Sequence, residues 1–514
     1  MAKDNLSDQT LGKGAPTGRS DELWFGHPRG LSTLFFTEMW ERFSYYGMRG
    51  LLVLFMIAPA VGSNGGLGLG IKDATAVYGL YTALVYLVAL PGGWVADKIW
   101  GLRKSVFVGG SIIAAGHFSM AAPILGFPQF ASFVLGLFLI IIGTGLLKPS
   151  ISAIVGDLYE GNDARRDAGF SIYYMGINIG ALLGPLFCGY FGEGVNWHLG
   201  FSLAGFGMVL GLIQYKYGEG SLGQAGLYKH DGDDGALERR KRRAVYGFGA
   251  AILATGLFAL GLALGWFEAD LQLVATGIGL SIILMSLIFF GYVIFFGGHS
   301  KEERNRVWVI FCLFILSAIF WSGFEQAGSS MNIFAQKLTD LKFGNFEAPA
   351  SWLQAVNPLF IIILAPLFAG LWTWLDRRHA NPSLPLKFGL GFLALAIGFF
   401  VLAWGAANAS PKNLVSPAWL VVTYFLHTCG ELFVSPLGLS AITKLAPRTR
   451  LGQMMGVWFI GAALGNLIGG LMAGYFGQVE PGRLFANVAI MAAAAGFVAV
   501  LISPFLTRMM GGVR

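Results

Sequence analysis

The chain has 514 residues, of which 55% are hydrophobic and only 12% charged, with a formal net charge of +7. A soluble protein of this size carries about twice that share of charge, so the composition excludes a soluble domain and points to a chain dissolved largely in lipid. The positive balance lies between apolar runs, which removes nucleic acid as an expected partner.

Apolar stretches long enough to cross a hydrocarbon core recur from Leu31 to Met510. A helix satisfies its own backbone in lipid, so each is predicted to be a helix. The reading yields an all-α polytopic membrane protein with fourteen transmembrane helices, in contact with membrane lipid. The spans are 31–58, 73–96, 103–123, 129–156, 166–190, 197–217, 244–266, 271–296, 305–335, 350–376, 384–404, 416–446, 451–476 and 484–510. Residues 1–30 form a polar tail without an apolar core, so no cleavable signal peptide is expected.

The first span carries Glu38, Glu41, Arg42, Tyr45 and Arg49. Their offsets place them on one helical stripe, which must face a watery cavity rather than lipid. Ionisable groups inside a span are costly, and each is a candidate for function. The second span ends in Pro91–Gly101, with Asp97 at the membrane edge as a loop brace. Lys148 sits in the fourth span and Asn178 in the fifth. Residues 218–243 read as a solvated linker with a basic end, and spans seven and eight (244–296) carry no charge in their apolar stretches. The second part of the chain adds Glu325 in span nine, Asn357 in span ten, and His427 and Glu431 in span twelve. Cys188, Cys312 and Cys429 fall in apolar segments, spaced for neither disulfides nor zinc, and no metal site is expected.

Alternate breaks differ sharply in charge. One set includes Lys98, Arg103, Lys104, Lys216, Arg239, Arg240, Lys241, Arg242, Arg243, Lys301 and Arg304; the other holds only Lys72, Lys337, Lys342, Lys412 and Arg483. Cytoplasmic loops are the basic ones, so both termini are expected in the cytoplasm. Shifting the fifth span by 285 positions lays Gly176, Gly180, Gly184 and Gly189–Gly192 on Gly461, Gly465, Gly469 and Gly474–Gly477. A parallel repeat of this kind suits the major facilitator fold, two six-helix halves. The expected division is a tail at 1–30, a first bundle at 31–217, a linker at 218–243, an inserted pair at 244–296 and a second bundle at 304–514.

The charges segregate between the halves, with Arg49 and Lys148 on one side of the cavity and Glu325 and Glu431 on the other. Such a cavity suits a zwitterion. The same groups could pair across the halves in the empty protein and act as gates. Glu38 and Glu41, flanking Arg42, are the proton-site candidates, and His427, one turn before Glu431, is a possible relay. No HExxH, Gly-x-Ser-x-Gly or phosphate-binding loop is present, so no enzyme is expected.

The run Glu38-Met-Trp-Glu41-Arg42-Phe43-Ser-Tyr45-Tyr46-Gly47 closely resembles the ExxERFxYYG signature of proton-dependent oligopeptide transporters. Gly92–Gly101, Tyr174–Leu182, Phe320–Gln326 and Gly430–Pro436 match that family too. The resemblance implies a proton-coupled symporter importing di- and tripeptides by alternating access. It also implies a bacterial inner-membrane protein working as a monomer, driven by the proton gradient without a cofactor. The alternative keeps the fold and changes the cargo to nitrate or a glycoside. Carried over residue by residue, it implies proton coupling at Glu38, Glu41 and Arg42 with Lys148 as their cationic partner. The peptide site would be lined by Tyr45, Arg49, Tyr86, Lys148 and Asn178 from the first half. Trp321, Glu325, Asn357, Glu431, Ser435 and Trp458 would line it from the second. Arg49–Glu325 would be the outer gate and Lys148–Glu431 the inner one. Gly79 stands where some members carry a proton-handling histidine, so the carboxylates must handle protons here.

Overall fold

Fourteen long helices and one short one follow from the apolar runs. They are α1 (Gly30–Ile57), α2 (Ile71–Val95), α3 (Leu102–Ala121), α4 (Gln129–Asp157), α5 (Arg166–Gly194), α6 (Trp197–Gly218), α7 (Asp234–Ala263), α8 (Leu271–Phe296), α9 (Lys301–Phe324), the short α10 (Ser330–Leu338), α11 (Val356–Arg377), α12 (Leu384–Ala406), α13 (Ala418–Leu445), α14 (Leu451–Ala473) and α15 (Pro481–Met509). The structure is a computed structural model that describes residues 23–159, 163, 165–228, 234–263, 266 and 270–511. Most of the expected tail, residues 1–22, and part of the 218–243 linker lie outside the described residues. Twelve of the helical runs are long and apolar enough to cross a membrane. Helix α1 is not among them, because four charged side chains interrupt its apolar sequence.

The long helices alternate in direction, so α1 begins and α15 ends on the same face, termed here the terminal face; the opposite one is the far face. Helix α1 packs on α5 and α6, α3 on α4 and α6, and α2 on α4. Helix α9 packs on α14 and α15, α12 on α13 and α15, and α11 on α13. The two groups meet where α2 lies on α14 and α5 on α11. Helix α7 leans on α4, whereas α8 touches α2, α9 and α14.

The glycine repeat has a structural counterpart. Gly176, Gly180 and Gly184 of α5 lie bare against Phe35, Met39 and Phe43 of α1. Gly461, Gly465 and Gly469 of α14 lie likewise against Phe314, Ala318 and Ser322 of α9. A Cβ on Gly465 would stand 2.6 Å from the Ala318 carbonyl oxygen, and one on Gly469 2.6 Å from that of Ser322. In lipid, where tails are as apolar as Leu, such backbone contact is what holds helices together. The partners also step by four residues in each half, so the same helix pair recurs in both halves.

Two elements depart from the sequence expectation. The seventh helix begins at Asp234 and not at 244, because Ala-Leu-Glu-Arg-Arg-Lys-Arg-Arg is made of strong helix formers that extend the span beyond its apolar part. Span nine is not one helix. It tightens into a 3₁₀ turn at Glu325–Gly328 before α10 resumes. Here the Ser330 hydroxyl donates to Gln326 Oε1 (2.7 Å), and Gln326 Nε2 donates to the Ser322 carbonyl (3.3 Å), side-chain bonds that span the break.

Gly79 of α2 and Gly470 of α14 meet near the far face. A Cβ on Gly79 would lie 3.1 Å from Gly470 Cα and 3.2 Å from Leu467 O. A histidine ring has no room in this arrangement. Gly79→His should therefore hold the far face apart, since overpacking costs about 1–3 kcal/mol and each 1.4 kcal/mol is about tenfold. The expected result is solute uptake reduced by about tenfold at equal membrane expression. Wild-type uptake would show that the two helices need not touch.

Candidate functional site

The α1 stripe is where the chain concentrates charge, and α5 covers it. Glu38, Glu41 and Arg42 are 2%, 1% and 4% exposed. Arg42 Nε lies 3.1 Å from Glu38 Oε1 and also pairs with Glu41. Gly180 of α5 presses on this cluster, and a Cβ there would stand 2.9 Å from Arg42 Cβ. The Arg42 guanidinium lies 5.2 Å from the centre of the Tyr45 ring, which stacks on Tyr81 of α2 at 6.3 Å. Two carboxylates share one guanidinium, which leaves the cluster with a formal excess of one negative charge.

Two turns farther along α1, Arg49 pairs with Glu325 at the broken point of span nine. The break places this carboxylate at the end of α9, toward α1. The Tyr78 hydroxyl accepts from Arg49 Nε at 2.7 Å, and the rings of Tyr46 and Tyr78 lie 5.6 and 5.8 Å from the guanidinium carbon. Asn332 of α10 donates to the Gly50 carbonyl at 2.9 Å. These contacts join the first group of helices to the second toward the far face.

A further polar group lies between α11 and α13. Asn357 Nδ2 donates to Glu431 Oε2 (3.2 Å) and to Thr428 Oγ1 (2.9 Å). Glu431 is 9% exposed and, among the described residues, forms no ion pair. In the first group of helices, Lys148 of α4 rests on the Tyr86 ring at 4.3 Å. Close approach of α2 and α4 makes that contact: a Cβ on Gly145 would lie 2.6 Å from Val88 Cγ1.

Of the residues expected at one site, the structure thus joins Glu38, Glu41 and Arg42, and separately Arg49 and Glu325. It does not bring Lys148 within ion-pair distance of Glu38, Glu41 or Glu431 among the described residues. The face of Tyr86 holds its ammonium by cation–π attraction instead. Asn178 is buried, with its amide turned back to donate to Tyr174 O at 2.9 Å. Trp321 keeps its indole N–H buried without a hydrogen-bond partner among the described residues. Ser435 is half-buried one turn beyond Glu431. Trp458 is tucked against Gly438 and Phe388, only 8% exposed. His427 packs 4.6 Å from Phe399 and, among the described residues, makes no hydrogen bond to Glu431.

Known proteins resemble this chain along nearly its whole length. The POT family model matches residues 103–483. The peptide transporter YePEPT of Yersinia enterocolitica is 38% identical over 510 residues, covering 97% of this chain and 98% of its own. The chain belongs to the POT family. A di-/tripeptide transporter of Lactococcus lactis subsp. cremoris is 36% identical, covering 96% of this chain and 99% of its own. The crystal structure of peptide transporter POT in complex with sulfate is 41% identical, with a TM-score of 0.86 over 96% of this chain and 97% of that one. The fold of this POT-family chain is accordingly of the major facilitator type, a multi-pass membrane transporter and not an enzyme.

Sequence reading of this POT-family chain missed Tyr78, whose hydroxyl fixes Arg49. The available signal was a cluster of tyrosines, Tyr78, Tyr81 and Tyr86, in an otherwise apolar span. It also missed Glu193 and Ser351, which lie where the expected ends of spans five and ten met loops.

Proposed function

We propose that this protein is a proton-coupled symporter that imports di- and tripeptides by alternating access. It would sit in the inner membrane of a bacterium as a monomer surrounded by lipid, with the terminal face in the cytoplasm. The observation that carries the reading is the arrangement of charge between the two groups of helices. Arg49 and Glu325 pair across the halves on the far side, while Lys148 of α4 and Glu431 of α13, one in each half, have no ionic partner among the described residues.

A short peptide is a zwitterion, with one charge of each sign to offer. Its carboxylate goes to the Lys148 side and its ammonium to Glu431. Charge-assisted bonds in a dry cavity are the strong ones. When the terminal side closes around cargo and the far side opens, Arg49 and Glu325 part. The names of the Yersinia and Lactococcus relatives support this cargo class.

The Glu38–Glu41–Arg42 cluster supports proton coupling, because one proton cancels its formal excess charge. No cofactor enters the cycle, which the proton gradient drives. Uptake of radiolabelled dialanine into proteoliposomes, with and without an inward proton gradient, tests the proposal. Gradient-stimulated accumulation, competed by other dipeptides but not by alanine, is expected. No uptake by correctly inserted protein would overturn the peptide reading and move the search to nitrate and glycosides.

A further inference from the structure

We infer that Glu193 is a second latch on the far face, separate from the Arg49–Glu325 pair and built on different chemistry. The inference rests on the alternating-access reading. Glu193 closes α5, and its carboxylate reaches across to the start of the helical run that leads into α11. It accepts hydrogen bonds from Ala350 N–H (2.9 Å), Ser351 N–H (3.0 Å) and the Ser351 hydroxyl. Those amides open the 3₁₀ turn Ala350–Ala355. The first N–H groups of a helical run have no partner within it, and the helix dipole favours an anion there. The carboxylate of one half thus caps a helix of the other.

The surroundings are fitted to that contact. Ser351 is fully buried, and Gly189 of α5 lies bare beneath it: a Cβ there would stand 3.3 Å from Trp352 Cδ1. Trp352 Nε1 donates to the Leu186 carbonyl at 2.9 Å, a second bond from the same turn to α5.

On its own side, the end of α5 is braced by Asn64. Asn64 Nδ2 donates to the carbonyls of Gly192 (2.9 Å) and Glu193 (3.3 Å). Its Oδ1 accepts from Trp197 N–H at 2.9 Å and its carbonyl from Trp197 Nε1 at 3.0 Å. One half therefore holds the carboxylate in place while the other supplies all of its donors.

Among the described residues no Lys, Arg or His pairs with Glu193. The latch is charge to helix terminus, where the deeper gate is charge to charge. Opening the far face must break all of these bonds together and release a bare carboxylate to water. Removing the latch should favour the far-open state without touching the peptide-binding walls.

The test is a distance measurement that needs no cargo, so its failure is distinct from a failure of dialanine uptake. Spin labels go on Leu125→Cys and Lys412→Cys, both exposed on the far face in different halves, after Cys188, Cys312 and Cys429 are replaced by alanine. In Glu193→Gln the amide nitrogen cannot accept from Ala350 or Ser351. The ratio of long to short distances should rise by about tenfold over the parent, a two-state shift biased by one contact. Ser351→Ala should give a smaller shift in the same direction, and Glu347→Gln, an exposed carboxylate on the same face, none. Distances unchanged in Glu193→Gln overturn the latch. Should that variant not be recovered folded, an unchanged distribution in Ser351→Ala overturns it equally.

Discussion

Glu41→Gln is expected to abolish gradient-driven accumulation of dialanine while leaving counterflow exchange within about twofold of the parent, because the exchange step needs binding walls and not a titrating group. Glutamine keeps the size of the side chain and one acceptor for Arg42, so the packing against Gly180 survives. The formal charge changes. In the parent two carboxylates share Arg42, and a proton is needed to balance the site. In the variant one carboxylate faces one guanidinium, and the site is balanced with no proton bound. Losing a charge-assisted hydrogen bond costs about 1.5–3 kcal/mol, and breaking a buried pair outright costs about 3–5 kcal/mol. Glu38 remains to pair with Arg42, so the lower figure is relevant and folding should be retained. Accumulation and counterflow are measured in the same proteoliposomes. Driven accumulation that survives in Glu41→Gln would remove this carboxylate from proton coupling.

What could be read from the sequence, and what could not, divides along physical lines. The spans were legible because lipid leaves the backbone one solution, and their edges fall close to the helices wherever an apolar run ends at a charge. The start of helix α7 escaped because it is governed by helix propensity in charged residues, which a hydropathy reading assigns to a loop. The break in span nine escaped for a related reason: hydropathy does not register a 3₁₀ turn, yet that turn aims Glu325 at α1.

The repeat was legible in α5 and α14 because glycines are irreplaceable where backbones touch. Their partners α1 and α9 show no comparable echo. Side chains there need only offer a backbone to the glycine, and the rest of each helix has been free to differ. Position by position from the matching contacts, Arg42 corresponds to Trp321 and Tyr46 to Glu325. At these positions α1 carries the charged cluster, and span nine carries aromatic rings and a single acid.

The individual charges of the site were legible because charge in a span is costly. Their partners were not, since pairing depends on how helices rotate and on which groups compete. Lys148 illustrates this. From sequence it is a cation awaiting a carboxylate, and in the fold an aromatic face takes that place. Tyr78 and Glu193 illustrate the converse. A hydroxyl in an apolar span or an acid at a span end has an ordinary role by default, and only the fold shows Tyr78 bonded to the gate arginine and Glu193 bonded to the other half.

Glu431→Gln is expected to weaken dialanine about tenfold as a competitor of labelled uptake, while N-acetylated dialanine, already weak, changes by no more than about twofold. The substitution isolates charge. Asn357 donates to Glu431 Oε2, and glutamine offers it an oxygen of the same reach, so the α11–α13 contact through Asn357 and Thr428 persists. What disappears is the anion facing the cavity. A charge-assisted bond from a peptide ammonium to a dry carboxylate is worth about 1.5–3 kcal/mol, against about 0.5–1.5 kcal/mol for a neutral bond. The difference of roughly one to two kcal/mol corresponds to about tenfold at its middle and more where water is excluded. A peptide without an ammonium has none of that energy to lose. If Glu431→Gln weakens free and acetylated peptides equally, the carboxylate is not reading the amino terminus. Glu431 would then act on the carrier itself, and the ammonium would have to find its partner elsewhere on the second wall, at Glu325 once Arg49 has let it go.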